Sequence, residues 1–115
     1  MSEKLLRRFQ NQVDGLQSHL DKFAEDFARD PAYALSWSND TFAAAAKLRI
    51  LRQIITAIQQ DTSVDADSIR ATMMDRVLHK SRYPAQSTSP TSNLIEQYEL
   101  AACAYVLSNL QYVTE

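Results

Sequence analysis

Ser2–Arg29, SEKLLRRFQNQVDGLQSHLDKFAEDFAR, is the stretch whose reading decides the fold. Leu6, Phe9, Val13, Leu16, Leu20, Phe23 and Phe27 follow one another in steps of three and four. That spacing winds their side chains onto one stripe of an α-helix. Ser2 is a suitable N-cap. Gly15 falls on the opposite, polar face, where it costs ~1 kcal/mol relative to alanine without shifting the phase of the stripe. Asp30-Pro31 stops the helix, because a residue before proline is pushed out of helical geometry.

The same periodicity recurs along the chain. A second helix is expected over residues 41–60, capped by Asp40 or Asn39. Its stripe is Ala44, Leu48, Leu51, Ile55 and Ile58, widened by Ile50, Ile54 and Ala57, and the run Ala43–Ala46 leaves room for a neighbouring helix to approach closely. A third helix is expected over residues 66–80, capped by Asp65 or Asp67, with Ile69, Met73, Met74, Val77 and Leu78 inward. A fourth is expected over residues 93–112, with Asn93 and Glu96 spaced as a capping box. It is apolar nearly all round, which fits a helix central in its bundle or partly covered by another subunit.

Two connectors separate these segments. Pro31–Asp40 carries Tyr33, Leu35 and Trp37; Asp30 can cap a short helical turn there with Pro31 at its first position. Ser81–Ser92 holds Pro84, Pro90 and several Ser and Thr residues, and reads as a loop. The expectation is therefore an all-α, four-helix bundle-like single domain covering residues 1–115, with an aromatic connector after the first helix and a Ser/Thr/Pro loop before the fourth.

Composition narrows the function. The 115 residues include one glycine, and phosphate-cradling loops, dinucleotide fingerprints and nucleophile elbows each need two or more. No apolar run approaches the ~20 residues of a membrane span. The first ten residues lack the apolar segment of a secretory signal. Cys103 has no cysteine partner in the chain, which fits a reducing compartment, and a cytoplasmic location is expected.

Candidate chemistry is sparse. Cys103 sits in the apolar run Leu100-Ala-Ala-Cys-Ala-Tyr-Val-Leu, a buried rather than a reactive setting. Asp75 and His79 share a helical face but have no third ligand at readable spacing. Asp61, Asp65 and Asp67 lack the glycine and the glutamate of a calcium loop. No Glu-x-x-His pair of the di-iron bundles is present. We expect no catalytic residue, cofactor, metal or small-molecule substrate.

What remains is surface. Although the net charge is −2, residues 41–60 carry Lys47, Arg49 and Arg52 with no acid, and residues 76–82 carry Arg76, Lys80 and Arg82 with none. Arg49, Arg52, Arg76, Lys80 and Arg82 are candidate partner-binding residues. Tyr98, Tyr105 and Tyr112 recur every seven residues along one edge of the fourth helix and, with Trp37, are candidate self-association or anchor residues. The functional expectation is a small non-catalytic helical protein that binds another protein or itself, homodimerisation included, as a regulator or subunit of a larger assembly. The alternative is a nucleic-acid-binding accessory protein that uses the basic residues of the second and third helices.

Overall fold

In the computed structural model, which describes residues 3–61, 63–82 and 89–110 but not the side chains of Ser81, Arg82, Thr91 and Ser92, all regular structure is helical. The order is α1 (Glu3–Arg29), α2 (Pro31–Leu35), α3 (Ser38–Gln60), α4 (Ala66–Arg82) and α5 (Pro90–Leu110). The all-α, bundle-like expectation holds, with a fifth, short helix where the aromatic connector was expected.

Local chemistry explains the helix ends. Asp30 accepts the Tyr33 backbone N–H at 3.3 Å, and Pro31 occupies the first position of α2, where its missing N–H leaves nothing unpaired. After a turn at Ser36 and Trp37, α3 starts at Ser38, three residues before the expected start. Trp37 stands at the N-cap without a side-chain cap bond, and Asp40 lies inside the first turn instead of capping it. There its carboxylate still faces the positive end of the helix dipole.

At α4, Asp65 is the cap. Its carboxylate accepts the Ser68 N–H at 2.8 Å, while the Ser68 hydroxyl accepts the Asp65 N–H at 2.9 Å. This is a capping box with serine in place of glutamate. Helix α5 begins at Pro90 rather than Asn93, and the Asn93 N–H already bonds the Ser89 carbonyl. Pro90 is thus the first residue of a helix, a position that suits proline. Of the loop expected over residues 81–92, residues 81 and 82 belong to α4 and residues 90–92 to α5, and residues 83–88 lie outside the described residues.

Cross-helix contacts fix the directions. Arg52 of α3 donates to Gln17 of α1 at 3.0 Å, and Trp37 meets Phe23 at 5.0 Å, so α1 and α3 are antiparallel. Lys80 lies 3.5 Å from Glu96 at one end of the α4–α5 pair, and Arg70 donates to the Leu110 carbonyl at the other. That pair is antiparallel too. Tyr98 reaches Asn39, and Lys47 lies over the Tyr105 ring, which sets α3 and α5 parallel. The four long helices therefore run up, down, up and down.

The core lies between α3 and α5, closed by the N-terminal part of α1 and by α4. Leu5, Phe9, Leu51, Met73, Val106 and Leu110 are its largest fully buried side chains. Three details depart from the sequence expectation. Leu5, outside the predicted stripe, is buried whereas Leu6 is only half-buried. Phe27, at the far end of the stripe, is 45% exposed because α1 outruns the core. Met74 and Leu78, expected inward, are exposed on α4. Helix α4 packs mainly on α5 and so buries a narrow face, Ala66, Ile69 and Met73.

Candidate interaction surface

A groove of about 380 Å³ opens between the start of α3 and the start of α5. Phe42, Ala45 and Ala46 come from α3, and Leu94, Ile95 and Tyr98 from α5; Arg49 and Glu99 close one end. Its origin is local. The alanine run that lets α5 approach α3 also leaves no side chain to fill the space between them. Leu94 and Ile95, in the first turns of α5, extend beyond the buried part of that helix. Phe42, Leu94 and Ile95 are 48%, 42% and 51% exposed. Apolar side chains grouped in this way on a folded surface mark binding sites more often than scattered ones do.

The predicted basic residues are tied into the fold rather than grouped as a free patch. Arg49 donates to Glu99 at 2.7 Å, Arg52 to Gln17 at 3.0 Å, and Arg76 to Gln53 at 3.3 Å. Lys80 pairs with Glu96 at 3.5 Å. The acids of α5 thus pair with Arg49 and Lys80, whereas Arg52 and Arg76 bond uncharged glutamines. The Arg82 side chain lies outside the described residues.

The tyrosine edge faces α3. The Tyr98 hydroxyl donates to Asn39 Oδ1 at 3.1 Å, and its ring lies 6.1 Å from that of Phe42. Lys47 Nζ lies 4.5 Å from the centroid of the Tyr105 ring, a cation–π contact. Tyr112 is outside the described residues. Trp37 packs edge-on against Phe23 and His19, at 5.0 and 5.3 Å, and plugs the α1–α3 end of the bundle.

A smaller recess of about 200 Å³ lies among α3, α4 and α5 and brings Asp75, Arg76 and His79 near Glu96, Glu99 and Cys103. Burial pushes the Cys103 thiol up, against a partial pull downward from the Arg76 guanidinium, so the nucleophilic thiolate is disfavoured. Among the described residues no three His, Cys, Asp or Glu side chains are grouped so as to hold a metal. No helix among them is long and apolar enough to cross a membrane.

Sequence reading missed Phe42, Ala45, Leu94 and Ile95 as a site. The available signal was the all-round apolar character of the last helix together with the alanine run, and neither alone says which apolar residues stay uncovered. No protein-family model, curated protein or solved structure that was compared with the chain matches it.

Proposed function

We propose that this is a non-catalytic helical protein that works by binding a polypeptide through the α3–α5 groove, as a subunit or regulator of an assembly in the cytoplasm. The observation that carries this reading is the cluster of half-exposed Phe42, Leu94 and Ile95 around the Ala45–Ala46 floor. Leaving these side chains in water forgoes burial worth about 25 cal/mol per Å² of apolar area, a loss that a partner's apolar face recovers. The cytoplasmic location is supported by Cys103, a buried free thiol.

Nucleic-acid binding is the weaker reading. Phosphate recognition uses cations grouped on one face, whereas Arg49 and Lys80 each lie against a glutamate. The experiment is photocrosslinking in cells from a photoreactive residue at Ala45, with the exposed Ala24 of α1 as the control position. The reading expects a discrete polypeptide adduct from position 45 and none from position 24. Adducts that contain nucleic acid, or no adduct from position 45, would overturn it.

A further inference from the structure

We infer that residues 17–35, the outer half of α1 with α2, form a helical flap that lifts from α3 as a unit while the rest of the bundle stays folded. The flap stands outside the core. Leu5 and Phe9 of α1 are buried in the main apolar cluster, and Leu6, Val13 and Leu16 pack against it; beyond Leu16 neither α1 nor α2 contributes to it. Helix α2 packs chiefly on α1. What the flap covers is separate as well. Ala44 and Leu48 of α3 are buried, yet they stand apart from that cluster. They continue the helical row of Trp37, which meets His19 and Phe23 of the flap, and Leu48 lines a depression together with Leu20. This seam is a satellite of the core, held by half-buried side chains, and such regions open at lower cost than the core does. Gln17 bonds Arg52 across it, but in an exposed contact that water replaces at little cost.

Unpaired polar groups favour the opening. Among the described residues, the buried side-chain atoms without a hydrogen-bond partner are Gln12 Oε1, His19 Nε2, Trp37 Nε1 and Thr41 Oγ1. Gln12 and His19 stand on α1, Trp37 and Thr41 at the start of α3, so all four belong to the two helices that meet at this seam. Buried polar groups are nearly always paired, and one left unpaired costs free energy that contact with water restores. Two points let the flap move. Gly15 precedes Leu16, the last α1 residue packed on the core, and glycine weakens a helix interior. The turn at Ser36 and Trp37 separates α2 from α3. Lifting the flap bares Leu48 beside Ala45, which also lines the α3–α5 groove. The apolar face open to a partner then widens, a consequence that alone rests on the interaction reading above.

The test is thiol labelling of the folded full chain in increasing, sub-denaturing urea. Cys103 probes the core, in which it is buried. Ala44→Cys, in a chain that also carries Cys103→Ala, probes the face under the flap. Flap opening exposes little surface, so labelling at position 44 should be nearly independent of urea; labelling of Cys103 should rise steeply, because it requires global unfolding. Without urea, position 44 should react roughly tenfold faster or more. Gly15→Ala should slow that reaction about two- to fivefold, the fold-change of its gain in helix propensity. Should Ala44→Cys fail to fold, Leu48→Cys on the same face takes its place. Equal urea slopes at the two positions overturn the flap, because the seam would then open only with the whole chain. A rate at position 44 that Gly15→Ala leaves unchanged overturns the hinge at Gly15.

Discussion

Arg49 and Glu99, fifty residues apart in sequence, meet at 2.7 Å across the seam between α3 and α5. The pair closes one end of the apolar groove and spans the seam between the parallel helices. Their side chains are 63% and 33% exposed, so water screens the attraction. Removing either partner should therefore cost no more than ~1 kcal/mol. Arg49→Glu places two acids together and should cost more than Arg49→Ala, while Arg49→Glu with Glu99→Arg should recover most of the loss. Denaturant midpoints in a double-mutant cycle check this. Zero coupling would show that the pair does not hold in solution.

Burial predicts a sharp contrast between two kinds of apolar residue. Leu51 is wholly buried between the central helices, so Leu51→Ala should destabilise by about 2–5 kcal/mol through lost transfer energy and a cavity. Leu78 is 49% exposed on α4, and Leu78→Ala should stay within about 1 kcal/mol of the parent. Chemical denaturation of both variants measures the difference. Equal losses would mean that Leu78 is covered in solution.

Gly15 has an open surface where a Cβ would stand, and its backbone has no positive φ. Gly15→Ala should raise stability by about 0.5–1 kcal/mol, from helix propensity and a less disordered unfolded chain. Thermal midpoints compared at one protein concentration report it. A lower midpoint would contradict a continuous α1 at this position.

The turn before α4 predicts an acid limb. The Ser63 hydroxyl and N–H bonded to Asp61, and the Ser68 N–H and hydroxyl around Asp65, hold both carboxyls below their ordinary values. A lowered folded pKa means that the contribution is complete above the unfolded carboxylate value of about 4 and is lost as pH falls through the folded value. Asp65→Ala should lower the midpoint at neutral pH and make the loss between about pH 4 and pH 2 shallower than in the parent, Asp61 keeping its own share. Asp65→Ser should restore the neutral-pH midpoint, since serine also caps, but should keep the shallower limb. Thermal melts across that range distinguish the three proteins.

Much of the fold was legible because three- and four-residue apolar spacing is a local property. It placed the long helices and most of the α3 stripe, Ala44, Leu48, Leu51 and Ile58. Helix starts were less legible. Pro90 looks like a breaker in sequence, yet at the first position of α5 it costs nothing. Leu5 was missed because which flank of α1 meets the other helices, here Leu5 beside Phe9, is a tertiary effect that no single helix encodes. The surface was harder still. Arg49 and Lys80 look like free cations until α5 brings Glu99 and Glu96 to them, and Leu94 and Ile95 look like core until the helix end is seen to outrun its neighbours.

The most direct test of the binding groove uses Ala45, the exposed alanine of its floor. With a photoreactive residue at Ala45, irradiation in cells should add a discrete polypeptide to the 13.0 kDa chain. Adding Ile95→Asp should abolish that adduct, and the same photoreactive residue placed at Ala24 should give none. A chain that remains at 13.0 kDa, or that cross-links equally well from Ala24, would contradict a binding site built on α3 and α5.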